Sequence, residues 1–168
     1  YSKLKADLMD MFDEKKLHML PEEWGFFNEF DREINIIGYA VNLTEEIIEK
    51  ARQQQIEFLV THHDSWEFIF GLKESCSKML EESGITHAYF HAPLDDAEFG
   101  TSASLGKKLG MGGLEKVMPY AEIYYGGGIG EIEPVDFNVF RERLTDILAE
   151  QVRCYQNNEN PVRKVAVA

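Results

Sequence analysis

The sequence predicts an α/β fold: a mixed or largely parallel sheet flanked by helices. Two observations carry this. A β-rich run at residues 34–41, a helical pattern at 44–54 and a second β-rich run at 56–61 follow one another over short connections. A further helical pattern at 70–82 then leads directly into another β-rich run at 85–91. Such a strand–helix–strand succession favours parallel pairing with a right-handed crossover.

Taken in order, Leu4, Leu8, Met11 and Phe12 recur at helical spacing, so residues 2–13 read as an amphipathic helix. Residues 17–30 are less regular. Pro21 can open a helical turn, whereas Trp24-Gly25-Phe26-Phe27 has no clean period and reads as an exposed aromatic segment or as packing against the domain. After the strand at 34–41, Asn42 or Thr44 caps a helix whose first turn carries Glu45 and Glu46 and whose inner face carries Ile47, Ile48 and Ala51. Leu72, Cys76, Met79 and Leu80 mark the next helix, which Gly84 stops. Pro93 prevents simple continuation of the strand at 85–91.

Residues 102–109 read as a short helix ending at Gly110, and 114–125 as one or two strands. Gly126, Gly127, Gly128 and Gly130 read as a tight, sterically open turn; they lack the Lys-Ser/Thr ending of a phosphate-binding P-loop. Phe137, Phe140, Leu144, Ile147 and Leu148 mark a third long helix, followed by a strand-like stretch at 152–155 and a polar turn at 156–161. Residues 1–161 are expected to form a single α/β domain. Residues 162–168 alternate as a strand and are expected to open a continuing second half.

The chain has 168 residues, of which 17 are basic and 30 acidic, for a formal charge of −13. That balance argues against nucleic acid or an anionic membrane as a nonspecific partner, because phosphate binding needs clustered positive charge. The longest apolar runs are far too short to cross a bilayer. Cys76 and Cys154 are too few for a disulfide scaffold, and a reducing cytoplasm is the expected setting. Cys76, on an apolar helical face, reads as a small core residue.

The chemistry concentrates at the ends of two β-rich runs. Ile56 to Thr61 leads into His62-His63, and the run at 85–91 leads into His91, Asp95 and Asp96. Where a strand gives way to a loop its alternation relaxes, so both imidazoles can diverge toward two metal ions about 3–4 Å apart. A carboxylate can bridge such ions, and Asp95 is the preferred bridge. His91 reads as a residue that orients Asp95, as a proton-transfer base, or as a hydrogen-bonded structural histidine. His87 reads as core or interface and His18 as exposed. Asp64, Asp96 and Glu67 read as solvated loop carboxylates or as groups assisting the metals. A His-His pair can equally be a polar loop near a surface.

Three stretches resemble a known family: Ile36-Ile37-Gly38-Tyr39-Ala40-Val41-Asn42-Leu43-Thr44-Glu45-Glu46-Ile47, then Phe58-Leu59-Val60-Thr61-His62-His63, then Tyr89-Phe90-His91-Ala92-Pro93-Leu94-Asp95. Together with Gly128-Ile129-Gly130-Glu131 and Pro161 to Val167, the chain is similar to the NIF3-like dinuclear metal-centre family, also described as GTP cyclohydrolase I type 2, and to its N-terminal half in particular. The resemblance implies metal ligation by His62, His63 and Asp95, and two divalent ions per subunit, with zinc, iron or manganese all compatible. It also implies a homo-oligomer, a hexameric ring, with a small anionic nucleotide as ligand. The implied activity is metal-dependent hydrolysis of a nucleotide or related heterocycle, at a cyclic amidine C–N bond. The alternative is a non-catalytic, ring-forming metal-binding protein that acts through protein partners. Departures are Asp64 where the family usually has proline, Asn42 where aspartate is common, and the poorly matched segment around Trp24 to Asp31. The family's His-x-x-x-Glu ligands have no counterpart here, because no histidine follows His91.

Overall fold

The computed structural model describes all 168 residues, which divide into two compact units, Tyr1–Leu94 and Asp95–Ala168. In the first unit the helical pattern at the N-terminus is cut short. Helix α1 (Ser2–Met9) ends early because the Asp13 carboxylate accepts from the amides of Lys15 and Lys16 and starts a separate helix, α2 (Glu14–Met19). A 3-10 turn at Pro21–Glu23 then feeds β1 (Trp24–Phe27). That segment has no clean period, yet it pairs antiparallel with the later strand β4 (Thr86–Phe90) at the sheet edge.

The expected strand–helix–strand unit is present. Strand β2 (Ile37–Asn42) leads to α3 (Glu45–Gln53), where the Thr44 side chain caps the Ile47 amide. Strand β3 (Phe58–His63) follows, then α4 (Leu72–Ser83), which ends on Gly84 at φ +64°. Both β2–β3 and β3–β4 pair in parallel, giving the order β1-β4-β3-β2. The sheet is therefore mixed, with a parallel centre.

Successive side chains of β3 enter different cores because they point to opposite faces. Leu59 joins Ile48, Ala51, Cys76 and Leu80 beneath α3 and α4. Phe58 joins Ala88 and Phe90, with Leu4, Leu8 and Phe12 packed against them. The buried Cys76 thiol is pushed up to about 11 by burial first and by Glu45 and Asp64 next, so it is a core residue.

The second unit holds α5 from its Asp95 end (Ala92–Asp96), α6 (Thr101–Leu109), α7 (Phe137–Leu148) and an antiparallel sheet. The sheet order is β5 (Gly112–Tyr120), β6 (Tyr124–Val135) and β7 (Val162–Val167). The glycine run does not form the expected turn. It lies inside β6, and the reversal occurs earlier, at Ala121 and Glu122, both in the left-handed region. Glycine serves close approach instead: a Cβ at Gly127 would stand 2.6 Å from the Val167 carbonyl oxygen. Residues 152–155 are not a strand, since no neighbour pairs with them. Residues 162–167 do form one, paired antiparallel with β6. No helix is long and apolar enough to cross a membrane.

Candidate metal centre

Parallel strands with short registers end at one sheet edge, and this delivers the histidines. Thr61 of β3 lies beside Tyr89 of β4, so His62 and His63 emerge next to His91, which follows the last residue of β4. The ring centroids of His62 and His63 lie 4.3 Å apart, and those of His62 and His91 5.2 Å. His63 and His91 are separated by 4.9 Å. One ligand nitrogen from each of the three half-buried imidazoles falls within 4.8 Å of the others.

Each ring is held from behind by an oxygen. His62 Nδ1 is 3.1 Å from the Phe90 carbonyl, and His63 Nδ1 is 2.7 Å from Asn42 Oδ1. His91 Nδ1 is 2.6 Å from Glu23 Oε2, and the His91 amide also donates to the Glu23 carbonyl. A carbonyl oxygen only accepts, so at His62 and His63 these hydrogen bonds place the proton on Nδ1 and the lone pair on Nε2, while the Glu23 carboxylate faces His91 as an ion-pair partner. Histidines that bind metal are commonly oriented in this way. The donor set therefore fits a divalent cation of borderline softness such as zinc or iron.

His87 is separate from this cluster. It is fully buried in β4, with its Nε2 2.8 Å from Thr61 Oγ1, and the Thr61 hydroxyl donates onward to the His63 carbonyl. Its Nδ1 has no hydrogen-bond partner, and burial pushes its pKa down to about 4. It is a core residue, stacked against Phe27 and Tyr89. His18 lies on the surface near Glu14.

The carboxylates divide. Asp95 belongs to the second unit, where its Oδ1 accepts from the Thr101 hydroxyl at 2.8 Å. Asp96, nearly buried, pairs with Lys116 at 2.6 Å. Asp64 and Glu67 both face Lys73, at 3.8 and 2.6 Å. They lie with Glu22, Glu23, Trp66 and Phe68 along a cleft of about 450 Å³ whose wall includes His63 and His91. Tyr89 in the same wall is pushed up to about 12, by burial first and then by Asp64, Glu23, Glu22 and Glu67.

Sequence reasoning singles out His62, His63 and His91 but misses Glu23 altogether. Asn42 stands out in the sequence as a possible helix cap, a role that Thr44 takes, and as a departure from aspartate; its alignment with His63 across β2 and β3 is the available signal for its role here. Glu23 gives none, because its pairing with His91 depends on the antiparallel β1.

Comparison with known proteins places the chain in a family and a fold. The Duf34/NIF3 (NGG1p interacting factor 3) family matches residues 7–168. A protein of Pyrococcus horikoshii named GTP cyclohydrolase 1 type 2 homolog is 33% identical over 145 residues, covering 80% of this chain and 56% of that protein. The Pyrococcus abyssi protein of the same name is 30% identical, with the same coverage. The chain thus spans little more than half the length of these relatives. Among solved structures, a Bacillus cereus protein related to NIF3 superposes with a TM-score of 0.76 at 14% identity, over 98% of this chain and 75% of that one. A Thermus thermophilus protein gives 0.75 at 23% identity, over 96% and 66%. These structural matches establish a shared α/β fold, and with the family match over nearly the whole length they show that the chain belongs to the Duf34/NIF3 family.

Proposed function

We propose that this protein binds divalent metal through His62, His63 and His91 and uses it to hydrolyse a ring C–N bond of a heterocyclic substrate. The observation that carries the reading is the convergence of three imidazoles whose Nδ1 atoms all contact oxygen acceptors. The names of the Pyrococcus relatives support the reaction class. When bound, the metal would act as a Lewis acid toward the substrate and lower the pKa of water. Glu23 fixes the His91 ring by a backbone and a side-chain contact, and Asn42 fixes the His63 ring. Asp95 is the proposed carboxylate ligand from its His-x-x-Leu-Asp spacing, and a second ion is proposed on the family resemblance.

Elemental analysis of the purified chain tests the centre. At least one equivalent of metal is expected, falling to background in His62→Ala/His63→Ala and in His91→Ala. Unchanged content in those variants refutes the assignment.

The second reading is a metal-binding protein that works by self-assembly without turnover. Its support is the edge strand β2, which exposes Ile37, Tyr39 and Val41 on one face. Metal binding combined with a ring-sized mass in light scattering, and no turnover of heterocycles, favours it.

A further inference from the structure

We propose that Thr61 and His87 are positioning residues for His63: a buried relay in which the His87 ring aims the Thr61 hydroxyl, and the hydroxyl fixes the peptide that carries the imidazole. Its relevance to metal rests on the reading of His63 as a ligand, but the relay itself belongs to the metal-free chain. Successive side chains of a regular strand point to opposite faces. His62 and His63 are adjacent, yet their ring centroids lie 4.3 Å apart. The backbone therefore leaves regular strand geometry at the end of β3, and the contacts that hold it there are specific. The His63 carbonyl accepts from the Thr61 hydroxyl at 2.7 Å and from the Leu43 amide at 3.3 Å. The first of these bonds spans His62, across the point where the two rings converge.

Thr61 can hold that carbonyl only while its hydroxyl points at it, and His87 sets the direction. A threonine hydroxyl has one proton, and the His63 carbonyl takes it. The remaining contact, 2.8 Å between Thr61 Oγ1 and His87 Nε2, is then one in which the ring donates. With the ring proton on Nδ1 instead, Nε2 would compete with the carbonyl for the hydroxyl proton. A buried N–H would also be left without an acceptor, since Nδ1 has no partner. Both residues are buried, and the rings of Phe27 and Tyr89, with centroids 6.0 and 6.3 Å away, keep the plane of His87. Burying an imidazole with one nitrogen unsatisfied is costly, and an apolar side chain would fill the same layer without that cost. What the imidazole adds is the donor that orients Thr61.

The test reads imidazole tautomers from long-range nitrogen–proton correlation spectra of the metal-free chain at about pH 8, where an ordinary histidine is neutral. Zinc affinity is measured alongside by competition with a chromophoric chelator. In the parent, His87 is expected to carry its proton on Nε2 and His63 on Nδ1. Thr61→Val keeps the side-chain shape without the hydroxyl; it should mix the His63 tautomers and weaken zinc by about tenfold or more. Thr61→Ser should restore both. His87→Leu should act in the same direction, and the double variant should be no worse than Thr61→Val alone, because both cut one chain of contacts. Circular dichroism melts confirm that the variants are folded. A proton on His87 Nδ1 in the parent, an unaltered His63 tautomer in Thr61→Val, or additive losses in the double variant overturns the relay. A parent that binds no zinc but whose His63 tautomer responds to Thr61→Val refutes the metal reading and supports the relay. Zinc binding indifferent to both single variants refutes the positioning role and leaves the metal reading standing.

Discussion

At His63 the Nδ1 proton is shared with Asn42 Oδ1 across 2.7 Å, where a charged carboxylate would hold the same proton more strongly. Asn42→Asp should therefore make the ring a better ligand and tighten metal binding. Asn42→Ala should loosen it by about 10- to 100-fold, the range usual for partners that orient a liganding histidine. Glu23→Gln should weaken binding in the same direction through His91; competition titration against a chromophoric chelator reads all three. His87 makes a different prediction. Its folded pKa of about 4 lies below its ordinary value of 6.5, so between those values the unfolded chain takes up a proton that the folded chain refuses. Stability is full above pH 6.5 and falls as the pH drops toward 4, by on the order of 3 kcal/mol. Denaturant melts across that window should show the loss in the parent and a flatter profile in His87→Leu.

Among the elements, β6 is the one whose sequence is most misleading. A run of glycines removes side chains and so resembles a turn, but here it lets neighbouring strands pass closely. Gly127→Ala would drive a methyl group against the Val167 carbonyl, 2.6 Å away. We expect a cost of about 1–3 kcal/mol, the range for overpacking, measured by thermal melts, with hydrogen exchange accelerated along β7. Helices α3 and α4 are legible because a 3.6-residue period and a capping residue are local signals. Strand β1 is not, since four residues at a sheet edge acquire their role from β4. The 152–155 stretch misleads for the converse reason: its strand-like composition finds no partner to pair with.

For the whole molecule, metal binding and folding are linked. A cation that binds the three imidazoles of the native state but not the unfolded chain stabilises it by about 2.7 kcal/mol at a hundredfold excess over its Kd. Zinc should therefore raise the melting temperature and a chelator should reverse the rise, while His62→Ala/His63→Ala responds to neither. Protection from hydrogen exchange should increase at the carboxyl ends of β3 and β4, where the three imidazoles lie. An equal zinc response in the double variant would place the metal elsewhere.

By itself the sequence determined the α/β class, the order β2-α3-β3-α4-β4 and the arrival of His62, His63 and His91 at strand ends. These follow from periodicity, caps and strand termini, all of which act over a few residues. Tertiary structure decided that His91 completes a triad with the pair, that Asn42 and the Phe90 carbonyl set the tautomers of His63 and His62 while Glu23 pairs with His91, and that an acidic aromatic cleft opens beside them. Those contacts join residues far apart in the chain, 28 positions for His62 and Phe90 and 21 for His63 and Asn42. Only strand register brings them within hydrogen-bond distance, and register depends on the packing of the whole sheet.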